Sequence, residues 1–306
     1  MTLPGKARSA ATVGVVLLVC TTLLWAGNAV VARAMKDDAS GTAMSFWRWA
    51  MALAVMLPFT WRSLIDKWPV IRKRWMFLAF CGWASTAPNN AIVFSALHYT
   101  TAINVQLFNS VIPVWVVLIS AVALRHKPTK AEGWGVAVSL IGVLLIVTHG
   151  DLRRLLAFEL NEADLWVLGT FFFWGLYSAI LRYRPLEFTA FEFVCVTAVI
   201  GTLMLLPYYL WEVAHEGLPA MTGRFIAGIA FLSIGTSLLA STLYSAGIDR
   251  LGPSRGALFV HLVPVFGVAM SVVFLGEIFA WYHGAGFVLV LVGLAIANRR
   301  RPQPAA

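Results

Sequence analysis

The sequence is short of charge. Only 12% of its 306 residues are Asp, Glu, Lys or Arg, about half the share found in a soluble domain. Hydrophobic residues make up 60% of the chain, and mean hydropathy is +0.80. No water-facing surface can be built from this composition without large exposed apolar patches, so the solvent that suits the chain is lipid. Aspartate is missing where it would matter most. Asp37, Asp38, Asp66, Asp151, Asp164 and Asp249 all fall between the long apolar stretches, so none is placed to carry an ion at membrane depth. Cysteine is almost absent. Cys20, Cys81 and Cys195 lie inside apolar segments without a C-x-x-C pair, which argues against a disulfide framework and against a metal site. The G-x-x-x-x-G-K-[ST] phosphate loop is missing too, so the chain holds no ATP-driven pump of that type. Neither H-E-x-x-H nor paired intramembrane aspartates occur, and serine and histidine occur without a recognisable catalytic arrangement. The expectation is a protein that is not an enzyme and uses no cofactor.

What is present is apolar sequence in long runs. A bilayer core needs about 20 mostly apolar helical residues. Ten segments qualify: 12–32, 43–60, 76–97, 101–124, 133–149, 165–181, 189–211, 225–247, 254–275 and 281–298. They are continuous rather than alternating, which favours helices over β-barrel strands. The first follows Lys6 and Arg8 as a signal peptide would, but it is longer than a signal core and is read as a retained span. The fold class expected is all-α, a polytopic membrane protein of ten helices.

The net charge of +9 is topological information rather than a sign of nucleic acid, because the basic residues sit in short runs between apolar segments. Alternate connections carry 17 Lys and Arg against 5 in the others, with Arg48 inside a span. This asymmetry predicts cytoplasmic tails at 1–11 and 299–306, and the short tails and compact loops favour a bacterial inner membrane.

The chain also repeats itself. Moved by 149 positions, Trp25 falls on Trp174, Arg33 on Arg182 and Pro58 on Pro207. Moved by 151, Phe108 falls on Phe259, Pro113 on Pro264, Gly133 on Gly284, Gly135 on Gly286 and Gly142 on Gly293. Two units follow, 12–149 and 165–298. With five spans each, the second must enter the membrane from the opposite side, an architecture known in secondary transporters.

Several motifs carry a resemblance. They are Trp25-Ala-Gly-Asn-Ala-Val-Val-Ala-Arg33, Phe46-Trp-Arg48-Trp-Ala50, Leu262-Val-Pro264-Val-Phe, Phe274-Leu-Gly-Glu277, and Gly284-Ala-Gly286 with Gly293. Together they resemble the EamA-type pattern of the drug/metabolite transporter superfamily from about residue 12 to residue 298. The resemblance implies ten spans, a central cavity and carriage of small metabolites, often by export. One departure is visible: where the family has Gly-Glu at the end of the fourth span, this chain has Leu124-Arg125-His126.

Polar groups at membrane depth are costly unless paired or facing water, so they are the first site candidates. Arg48 either snorkels between Trp47 and Trp49 or anchors an anionic or zwitterionic substrate. Asn28 and Tyr177 lie one turn after Trp25 and Trp174 in matching places. Asn89 and Asn90 follow Pro88, which cannot donate to the carbonyl of Ala84. Asn109 precedes Pro113, and His261 precedes Pro264. These two prolines are candidate hinges. The eighth span carries Ser233, Ser237, Ser241 and Ser245 at four-residue spacing, with Thr236 and Tyr244 beside them. Close helix packing is the plainer reading of that stripe. The candidate cavity set is therefore Trp25, Asn28, Arg48, Asn89, Asn90, Asn109, Trp174, Tyr177, Ser237, Tyr244 and His261. Candidates for ion coupling are Glu192, His261 and Glu277; passive facilitation or exchange fits equally well.

The reading that follows is a secondary transporter of small metabolites such as amino acids, working by alternating access and in the direction of export. Its expected partners are a small-molecule substrate and membrane lipid, with a second copy of the chain left open. A non-transporting sensor or assembly factor is the alternative, ahead of a membrane-embedded enzyme.

Overall fold

The computed structural model describes residues 4–35, 38–96, 99, 102–122, 129–151, 153, 162–275 and 279–297. Among the described residues it is helical, with no strand. Each of the ten expected segments, so far as it is described, falls mainly on helix. In the first half these are α1 (Pro4–Ala34), α2 (Gly41–Asp66), the short α3 (Trp68–Lys73), α4 (Trp75–Ser85), α5 (Ala87–Ala96), α6 (Ala102–Val122) and α7 (Lys130–Val147). The second half begins with α8 (Glu162–Ile180), α9 (Ala190–Glu216) and α10 (Gly223–Ala230). A π-helical stretch, Phe231–Leu239, continues α10 into α11 (Ala240–Leu251). Then come α12 (Pro253–Ala257), a 3-10 turn at Leu258–His261, α13 (Leu262–Leu275) and α14 (Trp281–Ala297). Among the described residues, six helical stretches are long and apolar enough to cross a membrane, and two more are apolar but shorter.

Polar residues at the helix starts explain the boundaries. Ser40 accepts from the Ala43 amide, and Thr222 from the Phe225 amide. Thr129 with Glu132 and Thr189 with Glu192 form reciprocal capping boxes that begin α7 and α9. Each box satisfies two amides that the first helical turn leaves without partners.

The halves interlock. α1 lies along α11, beside Gly14, Leu18 and Gly247, and α8 packs on α4, α5 and α6. α2 meets the π-helical stretch and α10, while α9 meets α4 and α5. So the first span of each half packs on the third and fourth of the other, and each second span packs on the opposite third.

The tightest crossing is between α7 and α14. A Cβ on Gly135 would lie 2.7 Å from the Gly293 carbonyl oxygen, and one on Gly142 2.6 Å from that of Gly286. The contacts return in kind, at 2.6 Å from Gly286 to Gly142 and 2.6 Å from Gly293 to Gly135. Contact order falls along α14 as it rises along α7, so the two helices run antiparallel. Their backbones touch because the glycines have no side chain to hold them apart, the usual way helices gain van der Waals contact where lipid supplies no hydrophobic drive.

The third and ninth spans depart from regular helix. The third breaks at Thr86, just before Pro88. The ninth tightens to 3-10 geometry at Leu258–His261, so Pro264 enters α13 in its first turn. Pro113, its counterpart, lies inside the unbroken α6.

Candidate substrate-binding site

Arg48 is the organising residue. It sits two turns inside α2 at 3% exposure, so its guanidinium has turned inward and does not snorkel. Its Nε donates to Ser237 Oγ at 2.8 Å, Nη2 to Thr236 Oγ1 at 2.9 Å, and Nη1 to Asn28 Oδ1 at 3.3 Å. The ring faces of Phe94 and Trp49 lie 5.7 and 5.9 Å from its central carbon, a cation–π environment. All three acceptors are neutral, and no carboxylate among the described residues comes within ion-pair distance. A guanidinium has five N–H donors. Three are used, and one remains on each Nη.

The π-helical stretch carries two of these acceptors. It puts Ser233, Thr236 and Ser237 on the buried side together, and the last two both reach Arg48. The Ala240 amide bonds the Gly235 carbonyl, five residues back. Beyond it the ladder returns to four-residue steps, and that change leaves a carbonyl without a helical donor. The next carbonyl, Thr236, receives Trp25 Nε1 at 3.3 Å. π-turns of this kind collect at functional sites.

An aromatic cluster adjoins the arginine. Trp25 lies 5.6 Å from Trp174 and 5.1 Å from Tyr244, and Trp174 lies 5.2 Å from Tyr244 and 6.2 Å from Tyr177, between ring centroids. Tyr244 Oη donates to Ser178 Oγ at 2.9 Å. Trp25, Asn28 and Trp174 are half-buried, whereas Arg48, Tyr177 and Tyr244 are buried. The structure thus brings Trp25, Asn28, Arg48, Trp174, Tyr177, Ser237 and Tyr244 into one region where the two halves meet.

The other expected residues go elsewhere. Asn89 Nδ2 donates to the Thr170 carbonyl of α8 at 3.1 Å. Asn90 Nδ2 donates at 2.8 Å to the Thr86 carbonyl, which also takes the Asn90 amide at 3.2 Å, so the helix restarts on a doubly bonded carbonyl. Asn109 is half-buried on α6 and joins none of these bonds. His261, fully buried, ties three helices. A carbonyl only accepts, so Nε2 donates to Ser110 O at 2.8 Å, and Nδ1 lies within hydrogen-bond distance of Ser139 Oγ, 2.7 Å away. Glu192 caps α9, accepts from Ser63, and pairs with Lys67 at 2.7 Å. Glu277 lies outside the described residues.

Sequence reasoning missed Ser139, Ser178, Glu132, Tyr209 and Glu212. Tyr209 accepts from Trp47 Nε1 at 2.8 Å and stacks on Phe46, and Ser40 donates to Glu212. The pattern Thr129-x-x-Glu132 was a readable signal, since it is the capping-box spacing. The others have no local signature, because their partners lie far away in sequence. Ion pairs hold both ends of the bundle. Lys67–Glu192, Arg184–Asp249 at 2.8 Å and Arg255–Glu132 at 3.4 Å lie on the Lys- and Arg-rich face. Arg224 grips Asp38 through two bonds, of 2.8 and 2.6 Å, on the other.

The EamA-like transporter family matches this chain twice, over residues 12–148 and 161–299. The protein belongs to the EamA-like transporter family. Its relatives are named as transporters, and nothing in the family points to an enzyme. It is 27% identical over 259 residues to "Uncharacterized transporter YyaM" of Bacillus subtilis, covering 85% of each chain. It is 24% identical to an "Uncharacterized transporter" of Archaeoglobus fulgidus, covering 94% of this chain and 98% of that one. A "Probable terminal-alkyne amino-acid exporter" of Streptantibioticus cattleyicolor is 25% identical, over 92% of both. One crystal structure superposes with a TM-score of 0.74 at 19% identity, covering 95% of this chain and 96% of that one. That likeness extends the agreement to the fold. The EamA-like chain is therefore a multi-pass membrane transporter.

Proposed function

We propose that this EamA-like protein is a secondary exporter of small carboxylate-bearing metabolites, amino acids among them, across a bacterial inner membrane. The observation that carries the reading is Arg48, a buried cation with neutral acceptors only and one spare donor on each Nη. A carboxylate is the ligand whose two oxygens fit that fork. The neighbouring rings of Trp25, Trp174 and Tyr244 offer an apolar face to the rest of the molecule. The name of the Streptantibioticus relative agrees with this substrate class.

The mechanism we propose is alternating access between two inverted five-helix repeats, ten spans in all, with both tails in the cytoplasm. The reciprocal packing of the halves and the antiparallel α7–α14 crossing support it. Two related halves of opposite direction can exchange shapes, opening the Arg48 region to one side and then the other. Glu192 and His261 are both held in structural bonds, so of the three candidates Glu277 is the one left for proton coupling, and facilitation or exchange fits equally well.

The test is counterflow. Proteoliposomes of the purified protein, preloaded with a mixture of unlabelled amino acids, are given each labelled amino acid in turn. Accumulation above protein-free vesicles is expected for at least one. Its absence across the twenty common amino acids and simple monocarboxylates would leave a sensor or assembly role as the better account.

A further inference from the structure

A second site lies away from Arg48, on the Lys- and Arg-rich face. A cleft of about 460 Å³ opens between the end of α3 in the first half and the connection 183–187 in the second. Lys73 and Arg74 line one side, both exposed. Neither pairs with a carboxylate among the described residues, although Glu187 stands at the rim. The neighbouring cations are taken up: Lys67 by Glu192, and Arg184 by Ser245 and Asp249. The remaining walls are apolar and open, with Val70 on one side and Tyr183 and Leu186 on the other, the latter 96% exposed. Trp61, Trp68 and Trp75, on the successive helices α2, α3 and α4, are all exposed.

Each feature has a physical reading. Exposed tryptophans gather at the level of lipid headgroups, where one end of the ring is apolar and the other wet. Leu186 and Tyr183 would be costly to leave in water but are at home against glycerol and the first methylenes of an acyl chain. Two uncompensated cations at that depth meet the phosphates of the lipid surface. We propose that this cleft binds the headgroup of an anionic phospholipid, with the phosphate on Lys73 and Arg74 and the glycerol edge on Val70, Tyr183 and Leu186. A bound lipid would bridge α3 to the 183–187 connection, and so join the two halves on one face of the membrane. The apolar walls select a lipid over free phosphate.

Native mass spectrometry of the full-length protein in neutral detergent tests this directly. The protein is titrated with phosphatidylglycerol and, separately, with phosphatidylcholine of the same chains. Phosphatidylglycerol is expected to bind more tightly. The K73Q/R74Q double variant should weaken it by roughly tenfold or more, since each surface cation contributes about fivefold at low ionic strength. Glu187→Gln should tighten binding, because it removes the carboxylate at the rim. Arg62→Gln, which alters a cation outside the cleft that rests on the Trp61 ring, should leave the tight component in place; thermal melting confirms that each variant is folded. Soluble glycerol phosphate at the same concentration should not compete. Equal binding of the two lipids, an unchanged K73Q/R74Q, or equal losses in R62Q and K73Q/R74Q would overturn the assignment, and competition by glycerol phosphate would move it to a free phosphate ligand.

Discussion

The third spans of the two halves occupy equivalent places and solve the same problem differently. Residues 75–96 stop and restart: the helix ends at Ser85, Thr86 leaves helical geometry, and Asn90 turns back to bond the Thr86 carbonyl. Residues 223–251 never stop. They widen through nine π-helical residues and bring two hydroxyls to Arg48. The first device is local, since a proline and an amide four residues from its acceptor suffice. The second matters only because an arginine of the other half is there to use it. Irregularity in the first half is bonded locally, and in the second half it lies where two hydroxyls meet Arg48.

The sharpest way to break this comparison is to remove the extra residue. Deleting Ile234, half exposed on the outer side, should return the stretch to α-helix and rotate one flank by about 100° relative to the other. Thr236 and Ser237 would then no longer both face Arg48. Counterflow is expected to fall to background, while size-exclusion profile and helical circular dichroism stay as in the parent. Full transport by the deletion variant would mean that the π-helical register is incidental.

A smaller but clear loss is expected in the first half. A Cβ at Gly201 of α9 would lie 2.6 Å from the Gly82 carbonyl oxygen of α4 and nearer still to Thr86 Oγ1. Gly201→Leu should therefore part the helices beside the break, at a cost of about 1–3 kcal/mol, read as a lower melting temperature in detergent. Thr236→Val removes one of the three acceptors on Arg48 and should reduce apparent substrate affinity by roughly tenfold, from about 1.5 kcal/mol for a hydrogen bond to a charged group. Asn90→Ala should be milder: loss of about 1 kcal/mol of stability with transport largely kept. If Asn90→Ala abolished transport without changing the melting temperature, the third span of the first half would also be part of the site.

Much of this architecture could be read in the chain. Continuous apolar runs mark helices because lipid leaves the backbone no other partner, and each expected run, so far as it is described, falls mainly on helix. Pro88 announced its break. Arg48 and Asn28 stood out as polar groups at depth, and the paired Trp25 and Trp174 are in contact. The π-helical stretch left no such mark, since no residue type demands that geometry and the serine spacing was equally good for an α-helix. The bonds of His261 were hidden for another reason: Ser110 and Ser139 are 151 and 122 positions away. The pattern Thr189-x-x-Glu192 was legible as a helix start, yet the carboxylate drew attention first as an ion carrier. Composition tells which groups need partners, and tertiary structure alone decides which partners they get.

The account rests on Arg48 receiving a carboxylate, and equilibrium binding tests that most directly. Isothermal titration of the purified protein with an amino acid that shows counterflow, and with its neutral amide, should give heat of binding for the acid and little for the amide. In Arg48→Gln the difference between acid and amide should vanish, with the acid weakened by roughly 100-fold, as expected for about 3 kcal/mol of charge-assisted bonding. Equal binding of acid and amide to the parent protein, or parent-like binding of the acid to Arg48→Gln, would contradict it.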